Sequence, residues 1–558
     1  MSKHIIRALS AIAFIYLLGL ALDHHLKIFD TPVKQLANLL PAIAALGLFY
    51  GLTRRLWTSA ALTAGTLGLI FAAHHLKIEH LHQSLKFADT FLAWQTVTNW
   101  NLLSLYAPTW LIPVIAIGIT FIVAIAYWEK ADRWLIGAPI LVAALLCFIG
   151  ISHKQYSPNS LYGPHAHGAK PWDTQSKTQA QGLLAAITSG ARSAQIHLPE
   201  VDRQTLDSFL AKSPPRTPIT NEAKPDIVVW LAESFFDPGI LHDIKTCEYL
   251  PEYCSLLNES LHTSLEVPTF GGNTTRTEFE VLTSTPFHAL GTKDYPYVSV
   301  VHHNMSSIVW SLKALGYQTT AIHPNHASMW QRDRAMPLLG FDKFISRADF
   351  DKPELDGVWV SDAELLRRIQ TTLAASDTPQ LVFAISMEGH GPFPKREVVD
   401  LQRRDAVKVP EGTNTKAATQ WREYIYHAQN AGRAVHHLKS AIEQKEQPTL
   451  VVFFGDHLPN LKHLFKQRTF KNGKPAWQQK TPALAFANYP LNVSWLPKAT
   501  YELGVWSLAL AGLVEHTKYH YLAHAIELSQ QEESNDELAP VIEALQIDNL
   551  YTTIEASP

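Results

Sequence analysis

The chain has 558 residues, 17% of them charged, and a formal net charge of −3. That length allows several structural units. The near-neutral balance, with no basic domain or arm, excludes nucleic acid as a partner on electrostatic grounds. The average conceals a division, because apolar runs dominate up to residue 152 and an ordinary globular composition follows.

Five segments are long and apolar enough to cross a bilayer, which takes roughly 20 residues. They are Ile5–Leu22, Leu36–Leu52, Trp57–Ala73, Trp110–Trp128 and Trp134–Ile151. A cleaved leader accounts for the first alone and not for four more behind it. Basic residues set the orientation. Lys3 and Arg7 flank the start, Arg54 and Arg55 fill a tight turn between the second and third segments, and Lys130 and Arg133 lie between the fourth and fifth. These compact connections are assigned to the cytoplasm. Lys27, Lys34, Lys77 and Lys86 are diluted over longer, His-rich connections on the other side. Five spans with the N-terminus inside place everything after about residue 152 outside the cytoplasm. Trp57, Trp110, Trp128 and Trp134 fall at span ends, where interfacial anchors belong.

Residues 153–175 are rich in Pro, Gly, His and Ser and read as a linker, and 177–193 as a helix near the membrane surface. A proline-rich stretch, Ser213–Lys224, precedes the folded domain, which runs from 225 to 530. The sequence then turns acidic and polar from Gln530 onward, so 531–558 reads as a tail. Cys147 lies in the fifth span. Cys247 and Cys254 lie close together in the outer part, at a spacing that suits a small-loop disulfide and not a zinc knuckle.

From residue 225 short apolar strands alternate with helices. Asp226–Leu231, Thr319–Ile322, Gln380–Ile385 and Thr449–Phe454 are strand-like, and Ser306–Leu315 and Ala418–Gln444 have helical spacing. The alternation predicts a mostly parallel sheet flanked by helices. Each strand runs into acids or histidines: Glu233, His323, Glu388 with His390, and Asp456 with His457. Ligands of open α/β sheets bind beyond the carboxyl ends of the strands. Four such ends therefore aim metal-ligating groups at one edge. Glu233, Asp456 and His457 offer oxygen and nitrogen donors suited to Mn²⁺ or Zn²⁺. Gly271 and Gly272 open a loop running into Asn273-Thr274-Thr275-Arg276-Thr277-Glu278-Phe279, where exposed N–H groups suit an anion. A hydroxyl there, activated by the metal, is a candidate nucleophile for phosphorus, and Thr274, Thr275 and Thr277 are equal on residue type.

Together these features resemble the lipoteichoic acid synthase family of phosphoglycerol transferases, within the alkaline phosphatase and sulfatase superfamily. The likeness spans the membrane segments, linker and catalytic domain. It implies an N-terminal five-helix transmembrane domain (1–152), a linker with a juxtamembrane helix (153–224) and an extracytoplasmic α/β sulfatase-like domain. It further implies that Glu233, Thr274, Asp456 and His457 hold a divalent metal, manganese first, with zinc and magnesium as alternatives. Thr274 is then the nucleophile. The run from His323 through Trp330 and Arg332 has the spacing of the family's phosphoglycerol pocket, and His390 in Glu388–Phe393 matches a further pocket histidine. The implied reaction moves phosphoglycerol from phosphatidylglycerol through a phospho-threonine to a glycan or polyglycerolphosphate acceptor. Arg276 departs from the Gram-positive synthases, which carry an acid there, and the Glu388–Phe393 loop resembles Gram-negative relatives that decorate glycans. The rival readings are a phosphoethanolamine transferase acting on lipid A or a glycan, and a catalytically inactive membrane scaffold.

Overall fold

The structure is a computed structural model that divides into two compact units, Met1–His197 and Leu198–Pro558. It describes all residues except 1, 23–30, 82, 94–107, 154, 164–165, 169–173, 194–198, 218–223, 292–293, 394–396, 532–536 and 555–558. Lys27 and the core of the acidic stretch at 532–536 lie outside the described residues.

The first unit contains α1 (Ser2–Leu22), α2 (Pro32–Thr53), α3 (Leu56–Leu81), α4 (Leu111–Trp128) and α5 (Trp134–Ser152). Four of these, α2 to α5, are long and apolar enough to span a bilayer, while the apolar part of α1, Ile5–Gly19, is shorter. Among the described residues the anchor thus has four or five apolar helices. No residue of α4 is buried, and Val114, Ile117 and Phe121 point outward. Such a surface belongs in lipid.

The basic connections meet at one end. Glu129 accepts hydrogen bonds from the Trp57 and Thr58 N–H groups at 2.9 and 2.8 Å and stands 3.5 Å from Arg7. The Asp132 N–H donates to the Arg54 carbonyl at 2.7 Å. The three short basic stretches therefore lie on the same side, as the charge pattern predicts.

The segment read as a linker is built into this unit. Tyr162 is buried and donates to the Ala37 carbonyl at 2.9 Å. The juxtamembrane helix is two, α6 (Thr174–Gln181) and α7 (Leu183–Ser193). They break at Gly182, whose φ is +87° and whose missing Cβ leaves room for the Asn38 amide. Asn38 in return bonds the Gln181 carbonyl and the Ala185 N–H at 2.8 and 3.0 Å.

The second unit is built on a seven-stranded sheet ordered β2-β9-β8-β1-β7-β3-β4. The strands are β1 (Asp226–Ala232), β2 (Leu261–Leu265), β3 (Gln318–Ile322), β4 (Lys343–Ile345), β7 (Gln380–Ile385), β8 (Thr449–Gly455) and β9 (Thr481–Ala487). A separate hairpin pairs β5 (Leu355–Asp356) with β6 (Trp359–Val360). The four strands predicted from apolar runs are the contiguous parallel block β8-β1-β7-β3. β2 and β9 run antiparallel at one edge. β1 explains the arrangement. Val228, Trp230 and Ala232 enter one core and Ile227, Val229 and Leu231 the other. A strand buried on both faces reads as a continuous apolar run, and each large side chain so buried contributes about 1.5–3 kcal/mol.

The helices that matter below are α8 (Arg203–Leu210), α9 (Thr274–Thr283), α10 (Asp362–Leu373), α11 (Thr415–Ile442) and α12 (Ala539–Tyr551). α12 falls in the segment read as a polar tail. It buries Val541, Ala544, Ile547 and Leu550, and its Asp548 pairs with Arg203 of α8 at 2.8 Å. Cys247 and Cys254 are joined in a disulfide.

Candidate active site

Strand register brings the ligand candidates together. Ala232 of β1 is the partner of Gly455 of β8, so Glu233 and Asp456 leave the sheet side by side. Two close backbone approaches fix this edge. A Cβ on Gly455 would lie 1.9 Å from the Phe235 carbonyl oxygen, and one on Gly389 would lie 2.0 Å from that of Glu233. Ser386, at the end of β7, accepts from the Glu233 N–H at 2.9 Å. Backbone strain collects here as well: Ser234 and Asn273, beside Glu233 and Thr274, and Trp330 and Gln331 all have positive φ without being glycine. Such conformations persist where the surroundings over-determine them, commonly at functional sites.

Glu233, Thr274, Asp456 and His457 form one buried group. Thr274, first residue of α9, donates to Glu233 Oε2 at 3.2 Å. Glu233 Oε1 accepts from the Ser234 hydroxyl at 2.8 Å and lies 3.6 Å from His457 Nε2. Asp456 Oδ1 accepts from the Ser234 and His457 N–H groups at 2.7 and 2.9 Å. His457 Nδ1 donates to the Leu458 carbonyl at 3.1 Å, which leaves Nε2 as a bare lone pair. That lone pair faces Asp456 Oδ2 at 3.2 Å, and neither atom has a hydrogen-bond partner. Two acceptors held face to face in the protein interior repel each other unless a proton or a metal ion lies between them.

The separations fit a metal ion. Ligands about 2.0–2.1 Å from a tetrahedral ion lie roughly 3.3 Å from one another. The acid and histidine atoms of Glu233, Asp456 and His457 all fall within 4.8 Å of each other. Burial, and next the Glu233 charge, push the Asp456 carboxyl well above its ordinary range, while burial lowers His457. A divalent ion reverses both penalties by replacing protons as the counter-charge. Thr274 also sits at the start of α9, where the helix dipole favours an anion.

The pocket residues take distinct positions. Arg332 is buried and makes a two-pronged ion pair with Glu278 of α9, at 3.1 and 2.5 Å. Glu278 is one turn on from Thr274, on the same helix face. His323 follows β3, is buried, and its Nδ1 lies 3.3 Å from the Ile385 carbonyl oxygen. Burial, and then the Arg332 charge, hold His323 well below the ordinary histidine range, so it is neutral. Trp330 is half-buried, with its ring 4.9 Å from Tyr295 rather than among the metal-ligand candidates. His390 is half-buried beside Trp359, whose Nε1 donates to the His390 carbonyl at 3.1 Å. Arg276 bonds the Asp294 carbonyl at 3.2 Å and covers the Phe287 ring, so it ties α9 to the segment around Phe287 instead of entering the ligand group.

Comparison with known proteins gives a consistent setting. Residues 225–490 match the sulfatase family model. Over 318 residues the chain is 26% identical to a putative cyclic beta-1,2-glucan modification protein of Rhizobium meliloti, covering 56% of this chain and 47% of that protein. Over 251 residues it is 33% identical to the capsular polysaccharide biosynthesis protein RkpI of the same organism, covering 44% and 43%. The chain thus spans about half the length of these curated relatives. Among solved structures, the phosphoglycerol transferase GacH of Streptococcus pyogenes, in complex with sn-glycerol-1-phosphate, superposes with a TM-score of 0.52 at 20% identity over 64% of this chain and 95% of its own. The lipooligosaccharide phosphoethanolamine transferase A of Neisseria meningitidis does so with 0.53 at 12% identity, over 91% and 97%. At these identities the likeness is one of fold, and with the second it extends over the membrane unit.

Proposed function

We propose that this membrane-anchored chain, whose residues 225–490 match the sulfatase family model, is a phosphoglycerol transferase of the alkaline phosphatase superfamily. It takes phosphoglycerol from phosphatidylglycerol, carries it on Thr274 and delivers it to a hydroxyl of a glycan or polyglycerolphosphate on the periplasmic side of the inner membrane. The observation that carries this reading is the buried group of Glu233, Thr274, Asp456 and His457, with unpartnered lone pairs on Asp456 Oδ2 and His457 Nε2. A divalent ion held there, manganese or zinc, lowers the pKa of the hydroxyl and offsets charge on the phosphoryl oxygens.

The chain's own groups supply the rest. Thr274 Oγ bonds to phosphorus as the bond from phosphorus to the diacylglycerol oxygen breaks. The hydroxyl proton leaves along the existing hydrogen bond to Glu233 Oε2, 3.2 Å away. His390 gives a proton to the departing diacylglycerol oxygen. In the second half-reaction it takes one from the acceptor hydroxyl, whose oxygen bonds to phosphorus as the bond from phosphorus to Thr274 Oγ breaks and Glu233 returns the proton to Thr274. Arg332, oriented by Glu278, adds positive charge beside the phosphate. Neutral His323 directs one ring nitrogen at the Ile385 carbonyl and keeps the other to accept from a glycerol hydroxyl, with Trp330 as the pocket's apolar wall. The anchor holds the site near its lipid donor and so raises the donor's effective concentration. Relatives named for glucan modification and capsular polysaccharide biosynthesis support a surface glycan as acceptor.

The test uses purified full-length protein with Mn²⁺ and labelled phosphatidylglycerol, and measures diacylglycerol release. Thr274→Ala is expected to abolish release with an unchanged circular dichroism spectrum. Unchanged turnover in that variant overturns the nucleophile assignment. Phosphatidylethanolamine run in parallel separates the phosphoethanolamine transferase reading, which requires it to be the better donor.

A further inference from the structure

A second buried group of acids and histidine, Asp356, Glu388 and His427, has the same residue types and compactness as the first. We propose that this group, with Asn430, is a positioning network that holds His390 against the reacting phosphate, and that Glu388 is its central residue. This rests on the reading of His390 given above.

The contrast with the metal-ligand group is in how its carboxylates are used. Glu388 Oε1 accepts from His427 Nδ1 at 2.8 Å and from the Asn430 amide at 2.5 Å, and Oε2 accepts from the Asp362 N–H at the start of α10 at 2.7 Å. Asp356 Oδ2 accepts from the Tyr426 hydroxyl at 2.7 Å and from the Asn430 amide at 3.1 Å, and Oδ1 accepts from the Val399 N–H at 3.0 Å. Every carboxylate oxygen therefore already accepts from an N–H or O–H group, whereas Asp456 Oδ2 in the first group accepts from none. Burial opposes the charge on Glu388, but the His427 hydrogen bond and charge, the Asp362 N–H and the Asn430 amide outweigh it and hold the carboxyl below its ordinary range. A fully satisfied buried network of this kind rigidifies what it binds.

What it binds is the His390 loop, from both sides. Glu388 fixes the backbone two residues before His390 to α10 and α11. Asp356 fixes the β5–β6 hairpin, whose Trp359 donates to the His390 carbonyl at 3.1 Å and places its ring 5.2 Å from the His390 ring. Asn430 joins the two arms by donating to both acids. Between Glu388 and His390 lies Gly389, pressed on the Glu233 carbonyl, so the loop also touches the backbone of a metal-ligand candidate.

The experiment is a double-mutant cycle on full-length protein with Mn²⁺ and phosphatidylglycerol. The variants are Glu388→Gln, His390→Ala and the pair, with Asp356→Asn as a second entry to the network should Glu388→Gln fail to fold. Glu388→Gln is expected to lower kcat about 10- to 100-fold, with KM and Mn²⁺ affinity within about twofold, and to add no further loss in the His390→Ala background. Asp356→Asn is expected to follow the same pattern more weakly. Full multiplication of the two single losses, or wild-type kcat in both network variants while His390→Ala is impaired, overturns the positioning role alone. So does a second equivalent of bound Mn²⁺ that disappears with Glu388→Gln. Wild-type turnover in His390→Ala removes the role assigned to that histidine, and the network's purpose with it.

Discussion

Gly389→Ala is the sharpest perturbation the site offers. The added methyl would sit 2.0 Å from the Glu233 carbonyl oxygen and 3.2 Å from its carbonyl carbon, whereas real Cβ contacts stay above 3.0 Å. The two backbones must therefore part by at least about 1 Å. Neither is free to do so: Glu233 is pinned through its N–H to Ser386, and Gly389 follows Glu388, held by three donors. Overpacking of this kind costs about 1–3 kcal/mol of stability. A displacement of about 1 Å at a reacting group costs roughly 100-fold in rate, and disturbing the support of a metal ligand about 10- to 100-fold in affinity. The assay is Mn²⁺ titration of the detergent-solubilised protein, followed by donor turnover at saturating metal. Gly473→Ala is the control, since its φ of +68° imposes strain but nothing lies within 4 Å of the new methyl. It is expected to lose about 1–2 kcal/mol of stability and no metal affinity. Wild-type Mn²⁺ affinity and turnover in Gly389→Ala would refute the argument that this contact sets the position of Glu233.

Two further outcomes follow from buried charge. Asp456→Asn is expected to abolish turnover and the Mn²⁺-dependent rise in Tm, yet to raise the Tm of the metal-free protein, because it removes one of two carboxylates forced together; a lower metal-free Tm contradicts this. Burial pushes the Glu280 carboxyl up to about 8, against the Phe287 N–H, the Thr500 hydroxyl and the Arg276 charge. The folded protein thus keeps a proton that the unfolded chain has released, and between pH 4.5 and about 8 this group makes stability fall as pH rises. Glu280→Gln fixes the neutral form, so its Tm advantage over wild type should widen from pH 5 to pH 8, and a constant difference refutes the assignment.

The centre of the fold is readable from the chain because its strands are buried on both faces. Short β-branched apolar runs such as Ile227–Leu231 suit a strand buried on both faces better than a helix, and all four so recognised prove adjacent. The edges are not readable in this way. β2 alternates half-buried and exposed residues over five positions and buries only Leu265, β9 carries Pro482, and β4 has three residues. Likewise Glu233, Asp456, His457 and His390 are visible because acids and histidines just beyond an apolar strand stand out by residue type. Ser386 and Ser234 are not, since their roles depend on contacts between distant parts of the chain. Glu278 had a signal, being four residues after Thr274 on a helix, but its partner Arg332 is separated from it by 54 positions. The glycines of Glu388-Gly389-His390 and Gly455-Asp456-His457 were the other available clue, as a Gly beside a ligand often marks close backbone approach. α12 escaped notice because Gln530–Glu537 reads as solvated and its apolar face begins only afterward.

All ten residues of α9 are buried, including Arg276, Glu278 and Glu280. The threonine at its head is consequently mounted on a part of the molecule that has no surface of its own. Every side chain on that helix already has packed neighbours, so a substitution at any of its ten positions is felt by the interior and is carried to Thr274 through the backbone.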